Sequence, residues 1–129
     1  MSSFEEAQQS IERISETSLM GHDLLQVCLD PQQAAQLDRI ARTTETAVLS
    51  GVDGEPRYVF GTLLSYCGKE DAAVRLLRSA IEHNYCAYQT LQSDPMLVKL
   101  RGTPEFSELL SAAKECRNKF LGERNQSLH

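Results

Sequence analysis

The sequence predicts an all-α protein built from antiparallel helices, and three observations carry that prediction. Apolar residues recur at spacings of three and four along most of the chain, the period of one helix face, and nowhere alternate as strands do. Acid-proline and threonine-proline steps, Asp30-Pro31, Asp94-Pro95 and Thr103-Pro104, stand where new helices should open. The connectors between periodic stretches are short, and two helices joined by about two residues must run antiparallel and pack together.

Phe4, Ala7, Ile11 and Ile14 form a first stripe, resumed after an expected break near Met20-Gly21 by Leu24, Leu25 and Cys28. Asp30 is the expected N-cap of the next helix, with Pro31 at its first position and Gln33 placed for a capping box. That helix turns Ala34, Leu37, Ile40, Ala41, Ala47 and Val48 inward and should stop near Ser50-Gly51. After the turn over 51–54, Pro56 opens a helix with Phe60, Leu63, Leu64 and Cys67 on one face, and Gly68 terminates it. A further helix over 70–83 buries Ala73, Leu76, Leu77, Ala80 and Ile81, with Asp71 and Arg75 spaced to pair on its outer side. Residues 88–92 read as a single turn. Asp94-Pro95 then caps a short helix carrying Met96, Leu97 and Leu100, ended by Gly102. The last helix follows Thr103-Pro104 and places Phe106, Leu109, Leu110, Ala113 and Phe120 inward; from Gly122 the tail is expected to fray.

A chain of 129 residues can bury roughly two-thirds of its unfolded surface and is long enough for one domain. Its net charge of −5 argues against nucleic acid, which needs a concentrated basic face, and weakens a case for anionic lipid. The charge is uneven: residues 1–53 hold nine acids and three bases, net −6, and residues 54–129 nine acids and ten bases, net +1. Such asymmetry can orient an encounter, although a solvated acidic face accounts for it too. No stretch has the length of a membrane span, and the first residues lack the basic-then-apolar pattern of a secretory signal. Cys28, Cys67, Cys86 and Cys116 have no tight spacing and fall on or near apolar helical faces, where free Cys acts as a small hydrophobe. A cytoplasmic protein with reduced thiols is therefore expected.

The 34 residues from Gly54 to Ala87, GEPRYVFGTLLSYCGKEDAAVRLLRSAIEHNYCA, resemble one tetratricopeptide repeat (TPR). Gly61 fills the small slot of the first helix, Phe60 the leucine slot before it and Gly68 the turn slot. Ala73 and Ala80 fill the small slots of the second helix, with Leu77 between them. The pattern is departed from at Arg57 in the tryptophan slot, Leu64 in the tyrosine slot and Tyr85 in the closing proline slot. Downstream, LQSDPMLVKLRGTPEFSELL is similar to a closing segment seen after repeat arrays in some bacterial regulatory proteins, including ones where the array follows a kinase or DNA-binding domain. A lone repeat cannot bury its own faces, so the flanks must supply the missing surfaces. The resemblance implies a TPR-like α-solenoid: a short right-handed stack with one clear repeat over 54–87, flanking helices and a degenerate capping unit over 88–121. Residues 1–121 form one domain and 122–129 its frayed tail.

Catalytic and metal readings find little support. Gly68-Lys69 ends like a phosphate loop, but Glu70 stands where a hydroxyl should hold magnesium and Leu63 where a glycine is needed. His83 and Cys86 could give two metal ligands, yet a zinc site needs four, and Cys67 and Cys116 have no supporting spacing. His83 near a helix C-terminus is explained by the dipole. His22 and His129 have no partners in the sequence. No Cys-His pair lies in a nucleophile elbow or after an oxyanion loop, and Glu12 with Glu16 is a like-charged helix pair. No enzyme activity, cofactor or metal is expected.

Binding is better supported. Tyr58, Thr62 and Ser65, with Tyr66 alongside, lie opposite the core face of the Pro56 helix, and tyrosine joins apolar area to a hydroxyl. In the repeats resembled, that face lines the concave groove that holds peptides. The resemblance therefore implies that Glu55, Tyr58, Thr62, Ser65 and Tyr66 contact a partner, unless the amino-terminal helices pack across them. The expected function is a non-catalytic protein–protein interaction module, an adaptor or scaffold for a protein or peptide. The alternative is a homo-oligomerisation or regulatory domain of a larger bacterial signalling protein. Phe4, Ala7, Ile11, Ile14, Ser18, Gly21, Leu25 and Cys28 approximate the heptad seam of such a homodimer.

Overall fold

In the computed structural model, which describes the backbone of residues 19–127, the order of elements is helical throughout. Among the described residues there are six α-helices: α1 (Leu19–Leu29), α2 (Ala34–Leu49), α3 (Gly54–Tyr66), α4 (Glu70–Glu82), α5 (Tyr88–Ser93) and α6 (Pro104–Ser127). Three-residue 3-10 turns, Pro31–Gln33 and Pro95–Leu97, lead into α2 and follow α5. No strand occurs among the described residues, and the all-α prediction holds. The apolar stripe at Phe4, Ala7, Ile11 and Ile14 lies outside the described residues. Met20 and Gly21 lie inside α1, which shows no break there.

The helix boundaries follow local chemistry. The Asp30 carboxylate accepts the Gln32 amide at 3.0 Å, and the Gln33 side chain donates to the same carboxylate at 2.8 Å rather than accepting the Asp30 backbone N–H as in a capping box. Asp94 repeats the device, accepting the Met96 amide at 2.9 Å, and Thr103 Oγ1 accepts the Phe106 amide at 3.1 Å at the start of α6. Gly68, at φ 82°, ends α3: its amide bonds to the Ser65 carbonyl and the Lys69 amide to the Leu64 carbonyl. Asn84, at φ 70°, ends α4 in the same way, its amide on Ile81 and that of Tyr85 on Ala80. A glycine is not required there because asparagine tolerates the left-handed region.

α3 and α4 form the central hairpin, and their closeness has a visible cause. A Cβ on Gly61 would come within 2.9 Å of Leu77 Cγ, and one on Gly54 within 2.8 Å of Tyr85 Cβ. Ala73 and Ala80 are fully buried beside them. One side of the hairpin shares a core with α1 and α2 through Leu24, Val48, Phe60, Leu63, Leu64 and Leu76. The other side packs Tyr58, Leu77 and Ala80 against Leu91, Leu97, Leu100, Phe106 and Leu109. Arg57 fastens the entry to α3. Its buried guanidinium donates to the carbonyls of Asp53 at 2.6 Å, Gly51 at 2.7 Å and Leu49 at 3.2 Å, where the end of α2 leaves acceptors free.

The expectations for the cysteines and for Phe120 need correcting. The cysteines are not free: Cys28 pairs with Cys67 and Cys86 with Cys116, with Cα atoms 5.4 and 5.5 Å apart. These partners lie 39 and 30 residues apart and become neighbours only when α1 and α6 pack on the hairpin. Phe120 is 43% exposed rather than inward, because α6 has by then run past the helices that bury Phe106 and Leu109. The same helix is continuous from Pro104 through Gly122 to Ser127.

Candidate functional site

The α3 face expected to receive a partner is occupied by the chain itself. Tyr58 is buried, and its hydroxyl donates to Asp94 Oδ2 at 2.7 Å while its ring lies 5.4 Å from that of Tyr85. Burial above all, and then the Asp94 carboxylate, push the Tyr58 hydroxyl far above the ordinary tyrosine pKa. Thr62 is also buried, its hydroxyl donating to the Val59 carbonyl at 2.7 Å. Ser65 is only 2% exposed, and its hydroxyl has no protein partner among the described residues. Tyr66 is half-buried against the first core; Lys99 Nζ donates to its carbonyl at 2.7 Å and stands 5.4 Å from its ring centroid. Only Glu55 faces solvent fully.

The five residues therefore do not line an open groove. Asp94, Met96 and Lys99 reach α3 from the downstream segment, so among the described residues the capped turn after α5 covers part of this face. Proximity in sequence could not reveal this, since Tyr58 and Asp94 are 36 residues apart.

An opening among the described residues lies between α2 and the first turn of α4. It encloses about 550 Å³, with Asp38, Arg42 and Glu45 on the α2 side and Lys69, Asp71 and Arg75 on the α4 side. Both walls are helices seated on the core through Ala41, Val48, Ala72, Ala73 and Leu76. Arg75 grips Glu45 in a fork, Nε to Oε2 at 2.5 Å and Nη2 to Oε1 at 2.9 Å, and Lys69 Nζ pairs with Asp38. The expected pairing of Arg75 with Asp71 gives way to this one: Glu45 is nearly buried and offers both oxygens, so it outcompetes an acid one turn away in water.

The two pairs differ in how firmly they are held. The Glu45 side chain is 12% exposed, and its hydrogen bonds raise the Arg75 pKa further. Asp38 is 63% exposed; the hydrogen bond from Lys69 and then its charge hold the Asp38 carboxyl below the ordinary value. Water competes for that pair, and a charged group from outside can replace either member. The cleft thus has one fixed ion pair and one exchangeable pair, with Arg42 on its rim. Sequence reasoning missed it because each pair joins residues about thirty apart.

No protein-family model, curated protein or solved structure matches this chain. Among the described residues no group of three or more His, Cys, Asp or Glu could hold a metal ion, and no helix is long and apolar enough to cross a membrane.

Proposed function

We propose that the chain is a non-catalytic protein–protein interaction module that docks a charged segment of a partner protein in the cleft between α2 and α4. The observation that carries this reading is the open cleft itself, walled by two core-anchored helices and containing an exchangeable Lys69–Asp38 pair beside a fixed Arg75–Glu45 pair. An acidic side chain of the partner takes Lys69 and Arg42, and a basic one takes the released Asp38. Such exchange favours specificity and association rate more than affinity.

The TPR-like reading belongs to the same proposal. It is supported by the hairpin over the 34 residues that resemble a repeat, with Gly61 set against Leu77 and Ala73 and Ala80 buried. α2 and α4 are then the second helices of successive hairpins in a short stack. The concave surface is filled by the turn after α5, which moves the partner surface to the side formed by second helices.

The test is capture of binding proteins by the wild-type chain and by two variants. Arg42→Glu with Lys69→Glu should abolish capture while the melting temperature holds. Tyr58→Phe should capture normally. Loss of capture with Tyr58→Phe alone, in a folded protein, would return the site to the α3 face.

Self-association is a second reading, favoured by Phe120 and Leu121, which are 43% and 48% exposed on α6. Light scattering over a range of concentrations separates the two. A dimer that Phe120→Ser with Leu121→Ser converts to monomer would make self-association the function.

A further inference from the structure

We infer that the native form of this protein is doubly oxidised, and that Cys28–Cys67 and Cys86–Cys116 fasten the two flanks of the hairpin to it. The placement of the bridges is the argument. Cys28 is in the last turn of α1, and Cys67 directly precedes Gly68 in the turn of the hairpin. Cys86 is in the loop by which the chain leaves the hairpin, and Cys116 is on α6. Each bridge crosses one of the two seams at which a flank meets the α3–α4 hairpin, and neither staples a helix to itself.

Three further observations agree. The cysteines form two pairs with none left over. Their Cα separations of 5.4 and 5.5 Å fall in the range a disulfide spans without moving the backbone. The Cys86 loop is bracketed by left-handed residues, Asn84 at φ 70° and Ala87 at φ 54°, a conformation that costs free energy at alanine and needs holding. Covalent closure of loops of 39 and 30 residues also limits the freedom of the unfolded chain.

In forming each bridge, two thiols lose two protons and two electrons and gain one S–S bond. The electrons pass by thiol–disulfide exchange to a protein or small-molecule disulfide, which leaves as two thiols. Maturation therefore needs a disulfide donor, the condition of an oxidising compartment, in place of the reduced thiols expected from cysteine spacing.

The experiment uses the full chain, isolated without reductant and quenched with N-ethylmaleimide. Mass mapping of a non-reduced digest should find the 28–67 and 86–116 crosslinks and no alkylated cysteine. Excess phosphine reductant should lower the melting temperature by roughly 10 °C or more. Hydrogen exchange should show early loss of protection in α1 for Cys28→Ser with Cys67→Ser, and in α6 for Cys86→Ser with Cys116→Ser. Four alkylated thiols in the folded protein, any other pairing, or a melting temperature unmoved by reductant would overturn the inference. The wild-type melt decides the matter even if a serine variant does not fold.

Discussion

The Tyr58 hydroxyl and the Asp94 carboxylate meet at 2.7 Å across 36 residues of sequence, and this bond ties α3 to the turn that covers it. Asp94 is used fully: Oδ2 accepts from Tyr58, Oδ1 accepts the Met96 amide at 2.9 Å, and its carbonyl accepts Arg101 Nη2 at 2.7 Å. One side chain thus caps a turn and positions it. Tyr58→Phe keeps the ring and removes one charge-assisted bond, so it should cost about 1.5–3 kcal/mol in urea unfolding. Asp94→Ala removes the cap as well and should cost more, by about another 1 kcal/mol.

The same contact sets an alkaline limit. Tyr58 is held neutral in the fold, its pKa raised above the ordinary 10.0, chiefly by burial. A raised folded pKa contributes stability that is fully present below the unfolded value and is lost as pH rises beyond it. Stability should therefore decline above about pH 10, as unfolded tyrosine ionises and the buried hydroxyl does not. Tyr58→Phe should flatten much of that decline, and Tyr85, raised for the same first reason, should account for part of the remainder. Denaturation midpoints measured from pH 8 to 11 on both proteins give the comparison.

Arg57 occupies the slot where the resembled repeats place tryptophan, and it anchors α3 by hydrogen bonds to three carbonyls. Arg57→Met should destabilise by about 2–4 kcal/mol, since the guanidinium bonds are charge-assisted and the acceptors are left partly unpaired. Arg57→Lys should recover only part of the loss, because one ammonium cannot span acceptors that a planar fork reaches together. Thermal melts of the three proteins show whether the order is Arg, Lys, Met.

Local chemistry was legible in the sequence, and long-range pairing was not. Asp30, Asp94, Thr103, Gly68 and the 34-residue hairpin act through neighbours a few residues away, so spacing alone places them. Tyr58 with Asp94, Arg75 with Glu45 and Cys86 with Cys116 are separated by 36, 30 and 30 residues. Helical periodicity says that a face is apolar or polar but not what comes to rest on it. For that reason Tyr58, Thr62 and Ser65 read as a partner surface, although they are interior. The same limit made Asp71 look like the natural mate of Arg75.

Gly61 is small because Leu77 stands over it. Gly61→Ala puts a methyl within 2.9 Å of Leu77 Cγ and 3.3 Å of the Leu77 amide nitrogen, so the side chain and the α4 backbone must both give. The gain in helix propensity, about 1 kcal/mol, is set against an overpacking cost of about 1–3 kcal/mol. Packing should win, with a net loss near 1 kcal/mol in urea unfolding. Leu77→Ala alone should cost about 2–5 kcal/mol, and in that background Gly61→Ala should cost less than it does in the wild type, because the leucine is the obstacle. A stabilised Gly61→Ala protein would mean that α3 and α4 lie farther apart.

Lys69 and Asp38 supply the prediction closest to function. The Asp38 pKa is lowered from 3.8 by the hydrogen bond and charge of Lys69. A depressed pKa gives stabilisation that is present above the unfolded value and is lost as pH falls through the folded one. Lys69→Ala should therefore move the Asp38 titration upward, toward the ordinary carboxylate range, followed by the carboxyl carbon shift in NMR. Because Asp38 is largely in water, stability at pH 7 should change little. Added salt should move the wild-type titration the same way, screening the charge part of the interaction. A partner whose acidic group takes Lys69 and whose basic group takes Asp38 replaces the charge beside that carboxyl, so the Asp38 carboxyl carbon signal should shift on binding. A partner that binds elsewhere leaves the Asp38 signal where it was.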